Sequence, residues 1–594
     1  GNGAAQILRT VDALREEIRP PFIAGARPKE EQRLEIPVDG PDRFTPDGAW
    51  MPGLVLVAKH TLVWLRQLER RFGRPVRHLD AIPDQALTEL ADLGVNGLWV
   101  GGVWERSEAS AAIKAMCGRE APTASAYSIR EYEVAAGLGG PSAARRLAER
   151  AAEFGIRLGC DVVANHTGID ARWVVDHPNR FVSTSECPYP AYSFTGRNLV
   201  ASDRVSVRLA DQYLDQSDAP VVFRREDLTT SEVRYLYHGN DGTGLPWNDT
   251  AQLDYTREET RRAMVEVIVD IAKRFPILRL DAAMALARRH VQRLWYPRAG
   301  TGGAIPSRSR FGLSDAEFNA LMPREFWREV VCSVRDAAPE TMLIAEAFWM
   351  MEGVFAREIG LNRVYNSAFM HHLRDEDNDR FRTLVTAVLE ADPRFLEHGL
   401  NYLSTPDEAS AARYLAPVPN CRAAALLLAT FPGTPLIAHG QFEGYEEQYG
   451  MEYDRPMTDE GESLELLEFH RSLAPLLGQR ARFSGSVGFR LLRAVDDAGC
   501  VEGDVITYLT GDPSEPPVLV VVNNGSERIR CAVDRVVAPV SGQARDLAAI
   551  AGRAEPSVLF RTGTADLRWD GGAVVADLGP YGGSAVELTP ATGA

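Results

Sequence analysis

The stretch ALTELADLGVNGLWV, residues 86–100, decides the fold class of this chain. Its first half, ALTELADLG, has the apolar spacing of an amphipathic helix. Its second half, residues 95–100, is a nearly continuous apolar run, which is typical of a strand buried on both faces of a parallel sheet. The same alternation returns in the helix-like segment AARRLAERAAEFG (143–155) and the strand-like segment 156–163.

Further helix and strand patterns continue this alternation downstream. Helices are predicted at 257–274 and 324–337, and strands at 277–282, 342–347, 362–369, 400–408 and 435–439. Repeated strand–helix units over about 360 residues indicate an α/β fold with a parallel sheet. This length favours a (β/α)₈ TIM barrel over two small doubly wound domains.

Three segments depart from the barrel pattern. Residues 167–255 are poorly periodic and rich in Asp, Tyr and Gly; because a structureless loop of this length is uncommon, we expect an inserted subdomain after the third strand. After about residue 480, short apolar runs between turn residues predict a C-terminal antiparallel β-sandwich. The predicted domains are an N-terminal helical and irregular arm (1–84, with an amphipathic helix at 4–18), the barrel (85–166 and 256–478), the insertion (167–255) and the sandwich (479–594).

The composition excludes several classes of partner. The 594 residues carry 65 Lys and Arg against 82 Asp and Glu, a net charge of −17. Nucleic acids and anionic membranes bind basic faces, so neither partner is expected. No apolar run reaches the roughly 20 residues of a membrane span. The first 20 residues lack the apolar core of a secretory signal, which favours a cytoplasmic location.

Polar side chains collect where the predicted strands end, which is where a barrel of this kind carries its chemistry. They are Asp161, Asn165 and His166 after one strand, Arg279 and Asp281 on the next, then Glu346, and finally Asp407 with Glu408. A single acidic residue there could simply cap the following helix. Several on one rim point to a functional site, because buried unpaired carboxylates are costly.

Two of these carboxylates stand in contrasting surroundings. Arg279 and Asp281 are separated by one residue, so on a strand their side chains leave the same face. The arginine is expected to lower the pKa of Asp281, which suits a nucleophile. Glu346 ends an apolar strand beside Phe348 and Trp349, and an apolar surrounding raises a carboxyl pKa, which suits a general acid. Such a pair is the minimal equipment for cleaving a glycosidic bond.

The segments around these residues resemble the motifs of the α-amylase family (glycoside hydrolase family 13), which contains retaining α-glycosidases and transglycosidases. The four motifs are DVVANH (161–166), RLDAA (279–283), AEAF (345–348) and STPDE (404–408). Supporting matches are LADLGVNGLWVGGVWE (90–105), AYSIREY (126–132) and FPGTPLIAHGQ (431–441). All occur in family order, and together they cover residues 85–445.

The resemblance implies a role for each matching side chain. Asp281 would be the nucleophile, Glu346 the general acid and then the base, and Asp407 the residue that stabilises the transition state. The expected sugar-binding residues are Arg279, which would orient Asp281, His166, which would hydrogen-bond the sugar, and Tyr127, which would stack on its ring. Tryptophans near strand ends or in the insertion are further candidates for stacking: Trp104, Trp247 and Trp349. His439, at the end of the eighth strand, is expected to line the pocket.

Three positions differ from the usual pattern or leave alternatives open. Pro406 stands where the fourth motif usually carries a histidine that helps to stabilise the transition state. Met284 and Ala285 replace the Lys-His of endo-acting amylases, so the acceptor side and the usual calcium carbonyl are open. Asn165 is a calcium ligand in many family members, but it could equally be a structural asparagine that bonds loop backbone. No cofactor is required by this pattern, and a structural Ca²⁺ stays an alternative.

The expected function is retaining hydrolysis of α-1,4-glucans or maltooligosaccharides by double displacement through a covalent glycosyl-enzyme. One alternative is an α-glucan transglycosylase, in which a sugar acceptor replaces water. An alternative of another class is a glycan-binding protein in which Pro406 has impaired catalysis. In each case the partner is an α-glucan or oligosaccharide.

Overall fold

The structure is a computed structural model that describes most of the chain. The described residues are 44–120, 122–242, 245–301, 303–348, 351–496, 498–533, 554–570 and 573–590. The helix predicted at 4–18 lies outside them, and so does Trp349. Among the helices of these ranges, none is both long enough and apolar enough to cross a membrane.

Eight parallel strands close into a barrel, and their order around it is their order along the chain. They are β1 (Leu56–His60), β2 (Gly97–Gly101), β3 (Arg157–Val163), β4 (Ile277–Asp281), β5 (Met342–Ala345), β6 (Arg363–Asn366), β7 (Gly399–Tyr402) and β8 (Thr434–Ile437). The barrel closes where β8 pairs with β1, with Leu436 opposite Leu56. The predicted (β/α)₈ barrel is confirmed.

The first barrel strand lies in the segment predicted to be an arm. β1 is buried throughout and pairs with β2 over five residues, from Leu56 opposite Gly97 to His60 opposite Gly101. The barrel therefore begins well before residue 85, and the boundary of the arm at 84 is wrong. The apolar run 54–58 leads into this strand, but Pro46 and Pro52 precede it, and the sequence therefore assigns the segment to the irregular arm.

Helices cover the outside of the barrel. The larger ones are Thr61–Phe72, Asp84–Asp92, Gly140–Glu153, Glu258–Ala272, Phe326–Ala337, Asn378–Ala391, Val418–Thr430 and Leu464–Leu477. Outward-pointing strand residues such as Val57 and Val100 pack in the cluster that these helices share. Inward-pointing residues such as Leu56, Ala58 and Trp99 form a separate cluster inside the barrel. The barrel is therefore filled below its rim, and only the upper ends of the strands are available to a ligand.

Between β3 and the helix Glu258–Ala272, the chain forms a small antiparallel sheet. Its strands, in spatial order, are Ser183–Thr184, Val233–Tyr237, Val222–Asp227 and Val205–Arg208. A second ladder joins His166–Gly168 to Thr250–Gln252, at the two points where the chain leaves and re-enters the barrel. The predicted insertion thus has a hydrogen-bonded base directly above β3, beside the candidate residues Asn165 and His166.

The C-terminal part forms two antiparallel sheets. One contains Arg490–Leu491, Val505–Thr510, Val518–Asn523, Gly583–Pro590 and Ala554–Thr562, and the other Ala494–Val495, Ile529–Val533, Ala573–Leu578 and Ala565–Asp570. A separate apolar cluster that includes Leu509, Val521 and Cys531 draws residues from both sheets, as expected of a β-sandwich. The sandwich contacts the barrel helices, for example where Thr430 Oγ1 lies 2.7 Å from the Tyr508 hydroxyl.

Candidate active site

One guanidinium group holds three carboxylates together at the upper end of the barrel. Arg279, only 2% exposed, has one terminal nitrogen 2.5 Å from Asp281 Oδ1 and 3.1 Å from Asp161 Oδ1. Its other terminal nitrogen lies 2.9 Å from Glu346 Oε1. The predicted nucleophile Asp281 and the predicted acid Glu346 therefore bind different terminal nitrogens of the same guanidinium group.

The strand register explains why these side chains meet. Arg279 and Asp281 lie two residues apart on β4 and project from the same face. Arg279 stands opposite Asp161 on β3, and on the other side it stands opposite Ile344 on β5, two residues before Glu346. The carboxylates thus come from three adjacent strands, and their position follows from the closure of the barrel.

Glu346 is fixed by a backbone contact next to Asp281. Its Oε2 accepts a hydrogen bond of 2.7 Å from the N–H of Ala282. Ala282 has φ 43° and ψ 41°, the left-handed conformation that L side chains seldom adopt. Since Glu346 is otherwise buried, its two oxygens are held by one side-chain cation and one main-chain donor.

Asp407 lies at the open side of the site. Its side chain is 52% exposed, and its Oδ2 is 4.0 Å from the nearer Arg279 nitrogen. The short loop that carries it is closed by a 2.8 Å hydrogen bond from the Ser404 hydroxyl to the Ala409 carbonyl. Partial desolvation and the nearby charge of Glu346 raise the pKa of Asp407 to about 6. Asp407 is therefore available to a ligand that enters the mouth.

Tyr127 and His166 line the same mouth. Arg279 donates a 3.0 Å hydrogen bond to the Tyr127 hydroxyl, and its guanidinium lies 5.3 Å from the centre of the Tyr127 ring. His166 Nε2 donates to the Tyr127 carbonyl oxygen at 3.2 Å. The ring of His166 lies 5.1 Å from that of Trp247, which the insertion supplies. The structure thus brings these predicted sugar-binding residues together around the carboxylates.

Trp104 does not belong to the mouth, and its prediction as a sugar platform is wrong. It is 1% exposed, and its indole Nε1 donates a 2.7 Å hydrogen bond to the Asp161 carbonyl oxygen. Its ring packs edge-on against Tyr132 and Phe275. Its position near a strand end was a poor indicator of exposure in the mouth. Trp104 begins a short strand, Trp104–Arg106, that folds back over the barrel wall.

The electrostatics of Asp281 differ from the expectation. Burial raises its pKa to about 8, and the charges of Glu346, Asp161 and Asp407 act in the same direction, whereas Arg279 lowers it. The predicted influence of Arg279 is present, but one cation shared among several buried carboxylates does not outweigh the loss of solvent. The free site therefore binds a proton more readily than an ordinary aspartate does.

Asn165 has a structural partner. Its Oδ1 accepts a 3.0 Å hydrogen bond from Gln252 Nε2, and the same amide also donates to the Asn165 carbonyl oxygen. Within the described ranges, no group of three or more His, Cys, Asp and Glu side chains is arranged to hold a metal ion. Gln252 thus engages the side chain of Asn165 and joins the two ends of the insertion, and the structural Ca²⁺ stays a prediction.

Two residues near the carboxylates escaped the sequence analysis. Tyr365, on β6, accepts a 3.3 Å hydrogen bond from Arg279 Nε. His60 ends β1 and lines the cavity beside the carboxylates, together with the predicted His439. Tyr365 could have been found from its position in the predicted strand 362–369. His60 could have been found from the apolar run 54–58, which indicates a strand that ends beside it.

A closed (β/α)₈ barrel with converging carboxylates at the ends of its strands is the architecture of a barrel glycoside hydrolase. A family model described as "Alpha amylase, catalytic domain" matches residues 79–462, which is well over half of the chain. The chain belongs to the α-amylase family and is a glycoside hydrolase, as its motifs indicated. Enzymes of this family act on oligosaccharide or glucan substrates. No curated protein matches the sequence significantly.

Solved structures share the fold over nearly the whole chain. The noncanonic maltogenic α-amylase AmyB from Thermotoga neapolitana aligns with a TM-score of 0.57 at 16% identity, covering 91% of this chain and 99% of the other. The native Nostoc punctiforme debranching enzyme gives 0.59 at 15%, covering 92% and 100%. The α-amylase from H. orenii gives 0.58 at 15%, covering 90% and 99%. At such identities the likeness shows the fold alone.

Proposed function

We propose that the protein is a retaining α-glycosidase that cleaves α-1,4-glucans or maltooligosaccharides by double displacement. The main support is that the two terminal nitrogens of Arg279 bind Asp281 and Glu346 separately. Retaining enzymes use two carboxyl groups about 5–5.5 Å apart. Two carboxylates bound to the two terminal nitrogens of one guanidinium group suit that spacing.

In the first step Asp281 attacks the anomeric carbon of the sugar. The bond from that carbon to the glycosidic oxygen breaks, and Glu346 protonates the departing oxygen, so that an ester between Asp281 and the sugar is left. In the second step Glu346 takes a proton from water as the water oxygen attacks the same carbon and releases Asp281. A sugar hydroxyl in place of that water gives transglycosylation.

The raised pKa of Asp281 defines what must happen before the attack. Burial favours the protonated form of Asp281, and a protonated carboxyl is a poor nucleophile. Glu346 binds the other terminal nitrogen of Arg279. The proton therefore has to move only between two carboxyl groups that the same guanidinium group holds side by side. Arg279 then faces an ionised Asp281, which is its closest partner.

The remaining groups of the mouth suit a neutral sugar. Tyr127 offers an aromatic face and His166 a hydrogen-bonding ring, with Trp247 packed beside it. The half-exposed carboxylate of Asp407 can accept two hydrogen bonds from neighbouring sugar hydroxyls. Binding of this kind depends on shape and hydrogen bonds, and it needs no charge on the ligand.

The test is incubation with maltoheptaose, comparing the wild type with Glu346→Gln and with the exposed-site control Glu390→Gln. We expect the wild type and the control to convert the substrate, and Glu346→Gln to be slower by roughly 10²–10⁴-fold, because it lacks the general acid. Products shorter than the substrate indicate hydrolysis, and longer ones indicate transfer. If the wild type binds a panel of α-glucosides but converts none, the proposal fails and a glycan-binding protein is left.

A further inference from the structure

Arg279 is held by its third nitrogen as well as by the two that bind the carboxylates. Its Nε donates a 3.3 Å hydrogen bond to the hydroxyl of Tyr365. Within the ranges that the structure describes, Nε has no second acceptor. A guanidinium group is planar and rigid, so an acceptor that fixes the direction of the Nε–H bond also fixes the directions of both terminal nitrogens.

Tyr365 stands on a rigid part of the barrel. It belongs to β6, opposite Leu400 of β7, and it is 1% exposed. Its ring lies 5.3 Å from that of Tyr402 on β7 and 6.1 Å from that of Phe348. Burial raises the pKa of its hydroxyl, which therefore stays neutral. Because the side chain is covered, Tyr365 acts on the site through Arg279 and does not touch a ligand in the mouth.

Two partners of Arg279 change their state in the proposed reaction. Asp281 loses its negative charge when it becomes an ester with the sugar, so Arg279 loses its closest ionic partner in the intermediate. Glu346 gives up a proton in the first step and takes one from water in the second. The contacts that hold the guanidinium group in the free protein are therefore weakened in the intermediate, when Glu346 has to act as the base.

Two other partners keep the same state throughout the reaction. Asp161 lies 3.1 Å from the terminal nitrogen that also binds Asp281, and it is itself held by a 3.1 Å hydrogen bond from Trp99 Nε1. Tyr365 accepts from Nε, on a different side of the guanidinium group. One contact leaves a planar group free to turn, whereas contacts at two of its nitrogens fix its plane. The Tyr365 hydroxyl is therefore needed most while Asp281 carries the sugar.

We propose that Tyr365 is a positioning residue, which holds the guanidinium group of Arg279 in place while Asp281 is bound to the sugar. This role rests on the function proposed above and adds a residue outside the four motifs to the second step of the reaction. With its guanidinium group held, Arg279 keeps its 2.9 Å contact with Glu346, which then stays directed at the incoming water. Without the hydroxyl of Tyr365, Glu346 loses a fixed partner and the ester persists for longer.

The first experiment follows the release of fluoride from α-maltosyl fluoride by the wild type and by Tyr365→Phe, which keeps the ring and loses the hydroxyl. Fluoride leaves readily, so we expect the breakdown of the glycosyl-enzyme to limit the rate. In the variant kcat should fall about tenfold, and KM should fall with it because the ester accumulates. The ratio kcat/KM should therefore change by less than about threefold. A rapid release of about one fluoride per enzyme should precede the slow phase.

Tyr402→Phe is the matched control. Tyr402 is also a buried tyrosine, on the neighbouring strand, and its hydroxyl has no hydrogen-bond partner among the described residues. Its kcat and KM should equal those of the wild type. A wild-type kcat in Tyr365→Phe would overturn the role of Tyr365, and so would a fall in kcat with KM unchanged, which indicates a loss of folded enzyme. If the wild type converts neither this fluoride nor maltoheptaose, the proposed function fails, and the crystal structures below decide the role of Tyr365.

The second experiment needs no turnover. Asp281→Asn removes the charge of residue 281, as the ester does, and crystal structures compare this variant alone with the one that also carries Tyr365→Phe. In the single variant we expect the contact between Arg279 and Glu346 to stay at 2.9 Å. In the double variant the guanidinium group should turn, so that this contact lengthens beyond about 3.5 Å. An unmoved guanidinium group in the double variant would overturn the role of Tyr365 and leave the proposed function standing.

Discussion

The backbone N–H of Ala282 donates a 2.7 Å hydrogen bond to Glu346 Oε2, so the residue after Asp281 holds the other reacting carboxyl group. The left-handed conformation of Ala282 accompanies this contact. That conformation costs an L residue roughly 1–2 kcal/mol. The strain therefore lies at Ala282, which follows Asp281 in the chain and hydrogen-bonds Glu346. Strained residues are often found at functional sites.

Ala282→Gly tests this strain. Glycine adopts a positive φ freely but loses more entropy on folding, so the two effects partly cancel. We expect the free energy of unfolding to stay level or rise by up to about 1 kcal/mol, with activity retained. Ala282→Val should instead be destabilised, because a β-branched side chain fits this conformation poorly. Urea unfolding with an activity assay checks both, and a loss of stability in Ala282→Gly would contradict the prediction.

Arg279→Lys keeps the positive charge but removes the two-armed geometry. A single ammonium cannot hold Asp281 and Glu346 on separate nitrogens, so their relative position should loosen. We expect kcat to fall by about 10²-fold or more while the fold is kept. Steady-state kinetics and circular dichroism measure the two effects. Activity near that of the wild type would mean that the charge of Arg279 is sufficient and that its two separate terminal nitrogens are not needed.

Asp281→Asn should change how stability depends on pH. The pKa of Asp281 in the folded protein, about 8, lies above the ordinary value of 3.8. Between these values the folded protein keeps a proton that the unfolded chain has released, so the contribution of this group to stability falls as the pH rises. Without the titration, the variant should exceed the wild type in Tm by at least about 2 °C near pH 8.

The same difference should shrink as the pH falls towards about 4, where the unfolded chain also begins to bind the proton. Calorimetric scans from about pH 4 to pH 8 measure it, with the exposed-site variant Asp92→Asn as control. A Tm difference between Asp281→Asn and the wild type that does not vary with pH would contradict the raised pKa of Asp281.

Removal of metal ions should have no effect. The Asn165 amide oxygen already accepts a hydrogen bond from Gln252, which fixes the base of the insertion without an ion. After treatment with EDTA we expect the Tm and the rate on maltoheptaose to match those of the untreated protein. A fall in either that added Ca²⁺ restores would show that a metal site exists.

Trp104→Phe separates a structural role from sugar binding. The substitution removes the hydrogen bond to the Asp161 carbonyl and part of the buried ring, so stability should fall by about 1–3 kcal/mol. KM for maltooligosaccharides should stay at the wild-type value, because Trp104 has no surface in the mouth. A large rise in KM in the folded variant would restore Trp104 to the sugar-binding residues.

The barrel and its carboxylates could be predicted because each depends on a local pattern. Apolar runs mark β2, β3, β4 and β5, and the parallel register then brings their polar ends together without further information. β1 was missed although the apolar run 54–58 leads into it, because Pro46 and Pro52 precede that run and favoured an irregular segment. His60, which ends β1, was missed for the same reason.

The properties that depend on many groups at once were harder to predict. The pair Arg279 and Asp281, taken alone, indicates a lowered pKa. The pKa of Asp281 is instead raised by burial and by Asp161, Glu346 and Asp407. These carboxylates belong to three other strands or the loops after them and lie far apart in the sequence. In the same way, a tryptophan near a strand end can point into the mouth or into the wall, and the reversal of the chain at Trp104 decides between them.

The pairing of β8 with β1 has a consequence for the synthesis of this protein. Leu56 leaves the ribosome long before Leu436, its partner across the closing seam, has been translated. The nascent chain therefore carries an open sheet with two unpaired edges through most of its production, and such edges invite association with other chains. Closure also brings together the most distant parts of the barrel, which makes folding slow. We therefore expect the yield of soluble protein to depend on chaperones and on the rate of translation more than on the stability of the finished barrel.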